Sequence, residues 1–197
     1  MNAMTTLKRL AVCGSLFLGA ALAAEAALDL TPRRGMREGN EGPPTPVIQF
    51  SYGRGRIDYQ PPADWRPGGG GRSVMFFTPD PNSWMRLVVT DKPNTGSKAV
   101  GGAENLAAAA VKFAPEEAQD VMLTKVVPSP FALGTQASTE MHYTCTLHGF
   151  RLALSISIID INNQERLVMV VCAEPGHFEE MREKAITSMF TWSPEDR

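Results

Sequence analysis

Residues 137–173 read ASTEMHYTCTLHGFRLALSISIIDINNQERLVMVVCA, and their alternation decides the fold. From Ala137 to Leu147 the more apolar set is Ala137, Thr139, Met141, Tyr143, Cys145 and Leu147, interleaved with Ser138, Glu140, His142, Thr144 and Thr146. A period of two marks a strand with one buried face. His148-Gly149 then supplies a two-residue turn, because Gly accepts positive φ. This turn predicts Leu147 opposite Phe150, Cys145 opposite Leu152, and Tyr143 opposite Leu154. A slip of one residue would set apolar side chains against polar ones.

Asn162-Asn163 reads as a second turn, since Asn tolerates the left-handed region. Pairing Ile161 with Gln164 would place Ile158 opposite Leu167, Ile156 opposite Met169 and Leu154 opposite Val171. On that register Val168, Val170 and Cys172 point to the other face, which is therefore half apolar. A sheet of this kind calls for a layer on each side.

Upstream, Val47–Tyr52 reads as an added strand or docked arm, and Arg56–Tyr59 as a short strand ended by Pro61-Pro62. Trp65 follows as a plug at the core edge. The glycine run Gly68–Gly71 lacks the Lys-Ser/Thr of a phosphate loop and reads as a floppy connection. Ser73–Phe77 and Trp84–Thr90 read as strands around a Pro79–Asn82 turn, and Val121–Val127 as another. Leu106, Ala110 and Phe113 recur at helical spacing within Ala103–Phe113. His177–Met189 predicts a second helix, with Phe178, Met181, Ala185 and Met189 on one stripe. Phe190–Trp192 returns as a tail or short strand.

Lys8 and Arg9 precede an apolar run from Leu10 to Ala24, followed by small residues at the end of the run. This is the pattern of a secretory signal over residues 1–26; an uncleaved anchor is the alternative. Cys13 sits before most of the apolar run, which excludes a lipoprotein box. Residues 27–55 are rich in Pro, Gly and charge and read as a flexible linker. Residues 56–193 then form one domain of ordinary size. The formal net charge is −2 with no long basic run, which speaks against nucleic acid. After signal removal no apolar run is long enough to span a membrane.

Two constellations carry candidate chemistry. His142 faces Ser155 in the predicted register, with Glu140 next on the same side, and Ser, His and Glu are the types a nucleophilic triad needs. Strands lack the exposed elbow that presents such a nucleophile, so a polar sheet face is the plainer reading. His148, Glu174 and His177 gather at one end of the sheet and could hold a cation. No closely spaced ligand pair supports that site, and no cofactor is called for.

Ile57-Asp58-Tyr59-Gln60-Pro61-Pro62-Ala63-Asp64-Trp65 resembles the opening of PsbP-like domains. Phe131–Ala137 resembles their loop into the central strands, and Phe178 through Ser188-Met189-Phe190 their closing helix. The resemblance spans Arg56–Trp192 and lies in the order and spacing of these motifs. That family includes PsbP extrinsic proteins, Mog-type Ran-binding proteins and DcrB-like envelope proteins. It implies an α+β fold, an antiparallel β-sheet flanked by helices on both faces. It also implies a non-enzymatic binding or assembly role, with no catalytic residues to carry over. With the signal, the expectation is an exported periplasmic or extracellular protein whose partner is another envelope protein. The oligomeric state is not legible.

Removing residues 1–26 leaves Cys145 and Cys172. On the predicted registers they point to opposite faces with a whole strand between them, on the order of 10 Å apart at ordinary strand spacing. A disulfide needs Cα atoms within about 7 Å, so two unpaired thiols packed as small apolar groups are expected.

Overall fold

The computed structural model describes residues 27–39, 42–92, 108, 111–131 and 139–195. The expected signal over residues 1–26 and most of the expected helix over 103–113 lie outside these residues. Ala108 is helical, and Val111–Phe113 forms a turn of 3-10 helix.

The described strands are β1 (Leu28–Gly39), β2 (Gly42–Tyr52), β3 (Gly55–Tyr59), β4 (Arg66–Gly70), β5 (Ser73–Phe77), β6 (Trp84–Asp91), β7 (Gln119–Pro128), β8 (Thr139–Leu147), β9 (Phe150–Asp160), β10 (Glu165–Ala173) and β11 (Ser193–Glu195); helix α1 spans Phe178–Met189. Two antiparallel sheets result, a four-stranded one in the order β1-β2-β3-β11 and a seven-stranded one in the order β4-β5-β6-β10-β9-β8-β7.

The first turn of the central meander forms as its sequence requires. Leu147 pairs with Phe150, Cys145 with Leu152 and Tyr143 with Leu154. His148 and Gly149 have φ of 51° and 84°. Two successive positive values are the type I′ geometry, whose twist matches that of the flanking strands.

The second turn corrects the expectation by one residue. Ile158 pairs with Val168, Ile156 with Val170 and Leu154 with Cys172. The cause is local. Asn162 Oδ1 accepts the backbone N–H of Gln164 at 2.8 Å and of Glu165 at 2.7 Å, and Ile161 N–H donates to Glu165 O at 3.1 Å. These bonds hold residues 161–164 as a longer loop, so β10 enters one position late. Periodicity cannot detect the slip, because β10 is apolar on both faces and is buried on both. Cys145 and Cys172 therefore lie in one apolar cluster, not on opposite faces. Both are free and buried, with β9 between their strands.

One face of the large sheet carries Val74, Phe76, Met85, Leu87, Met169 and Val171. It meets α1 through Phe178, Met181, Ala185 and Met189, and the small sheet through Leu30, Phe50, Ile57 and Tyr59. An aromatic group seals this junction: Tyr59 meets Phe76 edge-on at 5.3 Å and lies 5.8 Å from Trp192, which sits 5.5 Å from Phe50. The opposite face holds Met141, Tyr143, Leu154, Ile156, Val168 and Val170, with Phe113, Ala118 and Val121 packed against it. Helices on both faces are thus not supported. Helix α1 shares its face with the small sheet, and Phe113 of the 3-10 turn and Ala118 pack on the far face.

The stretch expected as linker is a β-hairpin. Pro43, Pro44 and Pro46 lie where β2 pairs with β1 alone, since pairing with β3 begins only at Ile48. There a missing N–H can face the open edge. The glycine run is also ordered structure: Gly68–Gly70 belong to β4, with a tight turn at Gly71-Arg72. A Cβ on Gly70 would stand 3.0 Å from Thr31 Oγ1 and 3.3 Å from its Cα. The run thus lets β1 approach closely, and Leu30 N–H donates to Gly71 O at 2.7 Å.

Candidate functional site

The alternation of β8 turns Glu140 and His142 toward the helix-bearing face, where β9 sets Ser157 and Ser155 directly opposite. All four are buried. His142 Nε2 lies 3.0 Å from Glu140 Oε1, and the Phe178 ring meets the imidazole edge-on at 5.6 Å. Arg182 reaches down from α1 and grips Glu140 with both prongs, Nε to Oε1 at 2.6 Å and Nη2 to Oε2 at 2.7 Å. Burial by itself would raise the Glu140 pKa. The hydrogen bonds from Arg182 and His142 outweigh it and hold the carboxyl at about 2, well below its ordinary 4.5. The bond to Glu140 in turn raises the pKa of Arg182.

The arrangement is a charge clamp between helix and sheet. It places His142 beside Glu140, as a base and its orienting carboxylate would be, but Ser155 Oγ makes no hydrogen bond. A nucleophile is activated through a bond to its base and must reach its substrate. Ser155 is fully enclosed and Glu140 is committed to Arg182, so the triad arrangement is not assembled.

The cation candidates are dispersed. His148 is exposed at the β8–β9 turn, 3.1 Å from Glu117 Oε2. Glu174 accepts a 2.7 Å hydrogen bond from Asn82 Nδ2. His177 is exposed at the N-terminal boundary of α1, and its backbone N–H donates to Glu174 O at 3.0 Å. Among the described residues no group of three His, Cys, Asp or Glu side chains is placed to hold a metal ion.

Sequence reading missed Arg182. Its partner lies 42 positions away, beyond any local spacing rule. The available signal was its position four residues after Phe178, on the inward stripe of the helix. A second buried carboxylate was also missed. Asp58 is covered by Arg37 and Arg56, whose Nε atoms each lie 3.5 Å from it, and by Gln49 Nε2 at 3.1 Å. Arg37 Nη2 also donates to Thr191 O at 2.9 Å, tying β1 to the chain beyond α1.

Fold and site together describe two antiparallel sheets with helix α1 clamped onto the larger one. No protein-family model matches the sequence. No curated protein matches it significantly. Solved structures similar to this chain include the cyanobacterial PsbP, CyanoP, of Synechocystis, at 10% identity and a TM-score of 0.48, covering 71% of this chain and 86% of that one. Protein PA94 of Pseudomonas aeruginosa, of unknown function, is 14% identical with a TM-score of 0.43, covering 83% and 99%. LpqN of Mycobacterium tuberculosis, involved in cell envelope biogenesis, is 14% identical with a TM-score of 0.40, covering 84% and 92%. No helix among the described residues is long and apolar enough to cross a membrane.

Proposed function

We propose that this chain is an exported, non-enzymatic binding or assembly factor of the bacterial cell envelope, which docks an extended segment of another envelope protein along β7. The observation that carries the reading is the state of that strand. β7 ends the seven-stranded sheet, and no described strand pairs with its outer side. Its neighbours Met122 and Leu123, which point to opposite faces, are 58% and 44% exposed, and Val126 is 38% exposed. An edge of this kind offers backbone donors and acceptors with apolar contacts beside them, which is what strand addition uses. Asp120 has φ of 51°, and two register shifts interrupt the pairing with β8. Such bulges keep an edge from pairing with any strand it meets, so the occupant is one shaped to the bend. The signal pattern over residues 1–26 supports the location.

Capture from envelope extract with the wild-type chain is expected to recover one protein reproducibly. Adding that protein should shift amide resonances of β7 first, and Leu123→Lys should abolish both effects while leaving the melting temperature unchanged. Capture that survives Leu123→Lys excludes the edge. Turnover of a generic ester by the wild type that is lost in His142→Ala replaces the binding role with a hydrolytic one.

A further inference from the structure

We infer that the outer side of the small sheet carries a binding site for a phosphoryl group, set between the β2–β3 turn and β1. The turn is Gly53-Arg54, with Tyr52 paired to Gly55. Gly53 has φ of 57° at its first position, as in a type II′ hairpin, and this throws Arg54 out at the tip. On β1 the register shifts between Asp29 and Arg33, which brings Arg33 opposite Gln49. Arg56 pairs with Ser51 on the same side. Arg33, Arg54 and Arg56 thereby converge on one cavity of about 250 Å³, whose lining also includes Gln49 and Ser51 and contains no carboxylate.

The three arginines are not equivalent. Arg56 Nε lies 3.5 Å from the buried Asp58, which anchors its guanidinium as the floor. The Arg33 and Arg54 side chains are exposed and make no hydrogen bond among the described residues, and the charge of Arg33 adds to the Thr31 hydrogen bonds in holding the nearby Asp29 carboxyl below its ordinary pKa. Asp29 stands opposite Ser51, but its Oδ1 already accepts the backbone N–H and the hydroxyl of Thr31, at 2.9 and 2.7 Å. Two guanidinium forks with no hydrogen bond of their own, over an anchored third, make a place for an anion. Planar forks match the paired oxygens of a phosphate better than they match a point charge. The cavity is below the range of about 300–1,000 Å³ usual for drug-sized ligands, so the group held is small. It is a free phosphate or pyrophosphate, or a phosphate carried by a lipid headgroup. This inference is independent of the docking role assigned to β7.

Titration calorimetry with inorganic pyrophosphate at low salt, and flotation with phosphatidylcholine vesicles with and without phosphatidylglycerol, separate the sources. Binding of pyrophosphate assigns a soluble ligand, and binding of only the phosphatidylglycerol vesicles assigns a lipid headgroup. In either case Arg33→Gln and Arg54→Gln should each weaken binding about tenfold, as expected for losing one charge-assisted contact. Arg54→Lys should fall between wild type and Arg54→Gln. Arg151→Gln, the same charge change at the exposed start of β9, should leave affinity unchanged. Both arginine side chains are exposed and make no hydrogen bond, so unchanged melting temperatures are expected for all variants. Equal affinity in the wild type and the Arg33→Gln/Arg54→Gln double variant, or no binding to either probe, overturns the inference.

Discussion

At the scale of single residues, the Glu140–Arg182 pair makes stability depend on acid in a defined direction. The folded pKa of Glu140, about 2, lies below its ordinary 4.5, so the folded state binds the proton more weakly than the unfolded chain does. The pair's contribution is therefore complete above about pH 4.5 and is lost as pH falls through 2, amounting to ~3 kcal/mol. Denaturant titrations at a series of pH values should show that loss. Arg182→Ala should cost about 3–5 kcal/mol near neutrality, because it leaves a buried carboxylate without its cation. It should also flatten the acid limb. An unchanged acid limb in Arg182→Ala would assign the dependence to other carboxylates. The thiols belong to this scale too. Burial pushes Cys172 up to about 12, with the neighbouring Cys145 adding to it, and burial raises Cys145 as well. Thiolate is the reactive form, so neither should react with a disulfide reagent in the folded protein near pH 8. In denaturant without reductant, the chain from residue 27 onward should yield both.

At the scale of elements, the two turns of the meander separate what alternation determines from what it leaves open. The β8–β9 register was legible because each strand has a distinct polar set, and a shift would bury Glu140 or Thr144 among apolar residues. The β9–β10 register was not, because Leu167 to Ala173 is apolar at every position and either register buries it. There the choice falls to Asn162, whose side chain binds two backbone N–H groups. Asn162→Ala removes both acceptor contacts and should destabilise the protein by about 1–2 kcal/mol. Asn162→Asp keeps the acceptor but replaces the Nδ2 donor 3.5 Å from Glu165 Oε2 with a second carboxylate oxygen, so it should recover only part of that stability. Thermal unfolding of the two variants checks this, and equal losses would remove the side chain from register selection. The candidate site divides in the same way. The facing of His142 and Ser155 was readable from the first turn, whereas Arg182 arrives from a separate helix. The placement of Arg182 turns the row from a conceivable triad into a clamp.

At the scale of the whole molecule, the small sheet is what composition concealed. Pro, Gly and Arg dominate residues 28–45, and averaging over them hides the inward-facing Leu28 and Leu30. Those two, with Ile48 and Phe50, cover Ile57, Tyr59 and Phe76 on the shared core. Each fully buried side chain of this size is worth about 1.5–3 kcal/mol, so the four together contribute ~6–12 kcal/mol. A domain's net stability is itself only about 5–15 kcal/mol. The hairpin also supplies hydrogen bonds to the rest of the chain: β2 pairs with β3 from Ile48 opposite Tyr59 to Tyr52 opposite Gly55, and Leu28 N–H donates to the Glu165 side chain, Oε2, at 3.2 Å. A chain beginning at Gly53 should therefore lose cooperative unfolding, bind a hydrophobic dye and show collapsed amide dispersion. Under the linker reading, the same truncation would leave a folded domain with an unchanged melting curve. Phe50→Ala in the full chain gives the graded form of the test. Its ring is buried beside Trp192, and its removal should cost about 3–5 kcal/mol. A folded truncation together with a neutral Phe50→Ala would detach the small sheet from the core.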